Sequence, residues 1–485
     1  MNQRILGLAL PNIVTNITVP LLGMVDMMIA GHLSNNGSFV EIGALAIGTQ
    51  IFNLIYWNFG FLRMGTSGLT AQAFGAQRWD ESVKILIRAC TIAMAIAFLL
   101  ISLQWPIALV VPHIFDAGSD VLHLALTYFF IRIWAAPATL GLYAIKGWFI
   151  GMQDSKTPMW IAIVLNCINI LASLMLTVGI HFGFSIGDKF LGIDIPGLDM
   201  GIPGIALGTV IANYTGLFLG IFFLRRRIHR DPNLSIFKFQ FSILKDALHW
   251  ADMKHFFKVN GDIFLRTLCL ATVFTFITAA STDISDEILA VDALLLQFFT
   301  LFSYIMDGFA YAGESLVGRH IGARQLRHLK LAVRLLILWG LALTVVFTGL
   351  YALWGDEILL IFTDKQSVIA AAGDYMGWVL AIPVCGFAAF LFDGIFIGAT
   401  ATRTMRNAMF VATGAFFAVY YGLKEIFGTS DIHAWNNILW TAFMVFLTLR
   451  GLLQAIRVRK DIYGQVPSVP SNLCCLTAGN GFEHR

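Results

Sequence analysis

Asp26 stands in the run Val19-Pro20-Leu21-Leu22-Gly23-Met24-Val25-Asp26-Met27-Met28-Ile29, with no basic residue within reach along a helix. A carboxylate in the middle of so apolar a segment costs about 2.5–3.5 kcal/mol to insert into a bilayer, so it has either a partner or a task. The task open to a lone carboxyl is to take up and give off a proton; the plain alternative is a packing hydrogen bond to a neighbouring helix. Asn12, Asn16, Gly23 and Asp26 step by four, seven and three, which sets them on one helical face. That face is expected to look into a polar cavity and not into lipid. Pro11 and Pro20 remove two backbone donors from the same helix, as hinges or as static kinks.

Other polar side chains repeat the spacing. Asn166, Asn169 and Ser173 share a face, as do Gln50 and Asn53. With Asp26 they are expected to build one polar pocket in the N-terminal half. The C-terminal half carries Asp262, Asp292, Asp307, Glu314 and Asp393. Asp262 and Arg266, an i, i+4 pair, are expected to satisfy one another. Asp292, near the outer end of its segment, reads as solvated. Asp307 and Asp393 lie deeper and are candidates for a second polar site. Arg132 needs a partner that the sequence does not name. The histidines are scattered, and neither HExxH spacing nor a serine-nucleophile motif occurs, so neither an enzyme nor a metal site or cofactor is expected. Cys90, Cys167, Cys269 and Cys385 fall in apolar segments and Cys474 and Cys475 near the end, with no paired spacing for zinc or a disulfide framework.

The elements that hold these residues are membrane helices. The chain of 485 residues is 58% hydrophobic and only 13% charged, too little charge to solvate a soluble surface. A helix needs about 20 apolar residues to cross the hydrocarbon core. The hydrophobic pattern predicts twelve spans over 5–31, 42–72, 82–111, 122–150, 157–181, 202–224, 259–281, 287–316, 328–353, 370–398, 404–422 and 433–455. The first apolar run carries prolines, asparagines and Asp26, and reads as a span and not as a cleaved leader. Basic residues fall on alternate loops: Arg78 and Lys84, Lys146 and Lys156, Arg225 to Arg230, Arg319 to Lys330, Arg403 and Arg406, and Arg457 to Lys460. The opposite loops hold Lys189, Lys365 and Lys424. The positive-inside rule then sets both termini in the cytoplasm. The basic stretch 225–258 reads as a linker between an N-terminal lobe, 1–224, and a C-terminal lobe, 259–460. The insert 182–201 reads as an external loop and 461–485 as a flexible tail.

The halves are repeats. Gly75-Ala76-Gln77 matches Gly322-Ala323-Arg324, and Gly147-Trp148-Phe149-Ile150-Gly151 matches Gly394-Ile395-Phe396-Ile397-Gly398, both at an offset of 247 residues. The expected fold is all-α and membrane-integral, with twelve transmembrane helices in two duplicated six-helix lobes in parallel topology. Internal repeats of this kind put transporter sites at the repeat interface or in the cavities the repeats enclose.

Six runs in order resemble the multidrug and toxic compound extrusion (MATE) family, in its DinF-like branch: LPNIVTNITVPLLGMVD (Leu10 to Asp26), FLRMGTSGLTAQAFGA (Phe61 to Ala76), GWFIGMQDSKTP (Gly147 to Pro158), DIFLRT (Asp262 to Thr267), DGFAYAGESLVG (Asp307 to Gly318) and DGIFIGAT (Asp393 to Thr400). The resemblance implies two lobes around a central cavity that opens alternately to either side. It also implies export of amphiphilic, often cationic compounds in exchange for protons or sodium, from a bacterial-type cytoplasmic membrane. The family's first-helix carboxylate falls on Asp26, its hinge proline on Pro11 and its fifth-helix amides on Asn166 and Asn169; Thr209 follows as a further pocket residue. Many relatives have an Asp where this chain has Ser173, which leaves Asp26 as the acidic residue of the N-lobe pocket and leans coupling towards protons. The expected partners are small-molecule substrates and the lipid bilayer, with no nucleic acid, and the chain is expected to be a monomer. A lipid-linked oligosaccharide flippase of the same superfamily is the rival; the embedded cations, chiefly Arg132 and Arg266, are few for holding phosphates.

Overall fold

The computed structural model describes residues 1–33, 39–115, 117–186, 189–235, 246–363, 365–428 and 431–467. Twelve helices among them are long and apolar enough to cross a membrane: Asn2–Gly31, Val40–Gly75, Trp79–Ser102, Ser119–Gly151, Lys156–Leu176, Ile202–Arg230, Trp250–Ile284, Asp286–Gly322, Leu326–Phe362, Met376–Gly398, Thr402–Phe427 and Ile432–Gln465. They are called spans one to twelve below. Large apolar side chains such as Phe98, Phe218, Val345 and Leu353 are exposed on their outer faces, where hydrocarbon and not water is the natural neighbour.

Proline and basic residues set where the spans depart from the sequence reading. The third helix stops at Ser102 and a separate one runs over Gln104–Ile114. Pro106 has no N–H to give the Ser102 carbonyl, which breaks the expected 82–111 span in two. Span four passes through one tight turn, Ile133–Ala135, where Pro137 withholds the same bond from Ile133. Span one, by contrast, stays helical through both Pro11 and Pro20. Span nine kinks at Trp354. The stretch 225–258, read as a linker, is helical to Arg230, over Pro232–Ser235 and again from Trp250, with 236–245 outside the described residues. The expected tail is helical to Gln465 and otherwise lies outside them from residue 468, as do Cys474 and Cys475. Within the insert, strands β1 (Gly179–Ile186) and β2 (Lys189–Pro196) pair as an antiparallel hairpin, Gly179 opposite Pro196. Alternating Ile and Phe with few helix formers favours that pairing over a loop.

The duplication is written into the backbone. Of the five non-glycine residues with positive φ among the described residues, four are Gln77, Gln153, Arg324 and Thr400, and they pair at the same offset of 247. Each follows a helix end whose next N–H bonds five residues back: Arg78 to the Ala73 carbonyl, Asp154 to Phe149, Gln325 to His320 and Ala401 to Phe396. This left-handed cap satisfies the orphan carbonyls of a helix end. Glycines match as well: a Cβ at Gly147 would strike the Arg63 carbonyl, and one at Gly394 the Ala310 carbonyl. Close backbone approach through small residues is how membrane helices pack when no hydrophobic force drives them together.

Two larger apolar cores result. One gathers the C-terminal half with Ile5, Leu8 and Ala9 of span one; the other gathers the N-terminal half with Phe256 of span seven. Span one thus packs on span five of its own half and on span eight of the other.

Candidate functional site

Asp26 is half-buried in span one. Its Oδ1 is shut away from solvent without a hydrogen-bond partner. Among the described residues it forms no ion pair. The cation whose charge acts on it is Arg132 of span four. Arg132 donates to the Tyr128 hydroxyl at 2.5 Å and lies 4.8 Å from the centre of the Phe52 ring. The partner that the sequence did not name for Arg132 is therefore a tyrosine and an aromatic face, with Asp26 acting at longer range. Phe52 and Tyr128 are fully buried, so the floor of this corner is rigid and greasy.

The amides expected to surround Asp26 divide into separate jobs. Asn169 donates to Thr209 Oγ1 at 3.2 Å and accepts from Ser173 Oγ at 3.2 Å, a closed chain of three buried residues between spans five and six. Asn166 reaches the Thr18 carbonyl of span one at 3.3 Å. Asn12, fully buried, donates to Leu8 O and to Ser155 Oγ at 3.0 Å. Asn16 crosses to the Tyr304 carbonyl of span eight at 3.0 Å. Gln50 and Asn53 are exposed. The helical face Asn12–Asn16–Asp26 therefore does not look into one cavity along its length. Its lower two members are bonded to the surrounding protein because an amide in this setting must find partners.

The C-terminal carboxylates are held quite differently. Asp393 receives Arg266 and Arg450 on one oxygen and Gln454 on the other, the last at 2.9 Å. Asp262 pairs with Arg406 at 2.6 Å and Thr402 at 3.1 Å, so the expected Asp262–Arg266 pair is not formed. Each partner reaches a neighbouring helix that offers a better-placed charge, and tertiary contact overrides the local i, i+4 option. Asp292 is not solvated: it is buried and accepts from Ser281 at 2.5 Å, Trp440 at 2.7 Å and Asn436 at 3.0 Å. Asp307 is partly buried and, among the described residues, has neither hydrogen bond nor ion pair; Arg63, Arg266 and Arg450 act on it through space.

The halves lock at the ends of spans two, four, eight and ten. Arg63 of span two pairs with Glu314 of span eight at 3.2 Å, stacks 3.9 Å over the Tyr311 ring, and shares Glu314 with the Ser67 hydroxyl. Gln72 donates to Gly398 O and Thr400 Oγ1, both at 3.1 Å, and Arg319 to Gln153 at 2.5 Å. Gly75 lies against the Arg319 carbonyl and Gly322 against that of Gln72, with no room for a Cβ.

This two-lobed arrangement has known relatives. The MatE family model matches residues 11–175 and 263–421, most of the membrane region in both halves. The chain belongs to the MATE family. DNA damage-inducible protein F of Escherichia coli (strain K12) is 34% identical over 451 residues, covering 92% of this chain and 89% of that protein. Multidrug resistance protein MdtK of Edwardsiella ictaluri (strain 93-146) is 20% identical, covering 94% of this chain and 95% of that one. Among solved structures, the outward-facing conformation of a multidrug resistance MATE family transporter of the MOP superfamily has a TM-score of 0.77 at 16% identity and 96% coverage of both chains, a likeness of fold. As a MATE protein the chain is a multi-pass membrane transporter and not an enzyme.

Sequence reasoning missed several charges of this MATE chain. Arg63 and Arg450, with Lys146, which was read as a loop residue, join Arg132 and Arg266 inside the spans, so the embedded cations were undercounted. Three of the five, Arg63, Arg266 and Arg450, are bound to carboxylates. Glu314 was noted without a role. The available signal was Arg63 itself, a guanidinium between Leu62 and Met64 with no acidic residue one turn away.

Proposed function

We propose that the chain is a secondary antiporter that exports amphiphilic, often cationic compounds in exchange for protons, with Asp26 as the coupling carboxylate. One observation carries the reading: among the described residues Asp26 has a buried oxygen without a donor and no cation in ion-pair contact, whereas Asp262, Glu314 and Asp393 each hold a guanidinium. A carboxyl already neutralised by arginine has little reason to exchange a proton; one without such a partner can change charge as its surroundings change. Ser173, in place of a second acid, bonds to Asn169 and adds no charge there.

The two lobes, 1–224 and 259–460, move against one another in this scheme. In this scheme the Arg63–Glu314 pair and the glycine contacts close the basic end, taken as cytoplasmic, while the opposite end opens. Asp26 takes a proton from outside as the exported compound leaves. It gives the proton up inside, where the bare carboxylate then attracts the next cation. Multidrug relatives support the substrate class. One charge moved through about 100 mV supplies roughly 2.3 kcal/mol, but a one-for-one exchange of proton for monocation draws on the pH difference alone.

The test is dye efflux from proteoliposomes. With the parent, a cationic dye leaves under an imposed pH difference without sodium, and Asp26→Asn is expected to lower the pH-driven part about tenfold or more. Undiminished efflux in the mutant removes Asp26 from the mechanism; a requirement for sodium at fixed pH removes the proton.

A further inference from the structure

At the basic end of the molecule a groove of about 570 Å³ lies between the ends of spans four and six and the start of span five. Its walls carry Arg226, Arg227 and Arg230, with Phe149 and Phe223 among them. Two acids also border it, and both are otherwise engaged. Asp154 accepts from the Thr157 N–H at 3.1 Å and from its hydroxyl at 2.8 Å; Asp231 accepts from the Asn233 N–H at 3.1 Å. The three arginines form no ion pair among the described residues. Other arginines at this end do find partners: Arg88 holds Glu81 and Asp252, Arg406 holds Asp262, and Arg319 holds Gln153. Orientation in the membrane requires positive charge on this loop, but it does not require three guanidinium groups around one concavity.

The helix that carries them says what reaches the groove. Phe218 and Phe222 are 67% and 57% exposed, and Arg226 and Arg230 continue their face at steps of four. The lipid-facing stripe of span six thus runs straight into the arginines, at the depth where hydrocarbon gives way to headgroups. We propose that the groove binds the phosphate of an anionic phospholipid, with the acyl chains lying along Phe218 and Phe222. Guanidinium forks match phosphate oxygens two at a time. Basic pockets between membrane helices hold anionic headgroups by this chemistry.

The full chain in phosphatidylcholine nanodiscs, with and without phosphatidylglycerol, gives the test by thermal unfolding and by native mass spectrometry of retained lipid. Phosphatidylglycerol is expected to raise the unfolding temperature by several degrees and to remain bound, whereas inorganic phosphate alone does neither. Arg226→Gln, Arg227→Gln and Arg230→Gln together are expected to weaken retention by roughly fivefold per arginine. Thr157→Trp, which fills the groove and keeps every charge, is expected to lose the shift as well, and covers the case in which the triple variant inserts poorly. A control with Arg457→Gln and Arg459→Gln keeps it. An unchanged shift in Thr157→Trp, an equal shift with inorganic phosphate, or an equal loss in the control overturns the proposal.

Discussion

Asp26 and Asp393 are the same side chain in the same solvent, and the protein treats them in opposite ways. Asp393 is enclosed by two guanidinium groups and an amide; Asp26 has Arg132 acting on it at a distance and a bare oxygen. The difference separates a carboxylate that ties helices together from one that no cation holds in contact. Removing half of a buried ion pair costs about 3–5 kcal/mol because the other charge is stranded. Removing an unpaired acid costs little.

Four substitutions break or sharpen that contrast. Asp393→Ala leaves Arg266 and Arg450 without a carboxylate in contact; a loss of about 3–5 kcal/mol is expected, read as collapse of the yield of folded protein and of its unfolding temperature. Asp26→Asn is expected to keep the unfolding temperature of the parent and to lower pH-driven efflux about tenfold or more, equivalent to about 1.4 kcal/mol. If Asp26→Asn destabilises the protein as Asp393→Ala does, the contrast is gone. Thr209→Ala opens the Asn169–Ser173–Thr209 chain and is expected to cost about 0.6–1.7 kcal/mol by thermal unfolding, the scale of hydrogen bonds between membrane helices. Asp307→Asn is the sharpest control, since Asp307 is unpaired but in the other half. Its efflux is expected to stay within about twofold of the parent, about 0.4 kcal/mol. A tenfold loss there would make the C-terminal half the coupling half.

Much of this was legible without coordinates. Span number follows from hydrophobic runs that nothing in tertiary structure can shorten greatly, and the two glycine motifs disclosed the duplication that the caps at Gln77 and Arg324 repeat. Asp26 was legible because an acid amid Val, Leu and Met has no local explanation. The partners of charges were not. Arg266 lies one turn from Asp262, yet it binds Asp393, 127 residues away, because a helix surface cannot tell which neighbour will come alongside. Asn12 failed as a cavity residue for the same reason: periodicity gives a face, and Ser155 in a distant turn decides what the face meets.

The seal at the basic end has a mechanical property that charge alone would not give it. Where Gly75 meets the Arg319 backbone and Gly322 that of Gln72, main chain rests on main chain. At those two contacts no side chain can swing aside to ease the joint, unlike the Gln72 and Arg319 side-chain bonds beside them. Even one methyl group added there would act as a wedge that no change of rotamer could relieve.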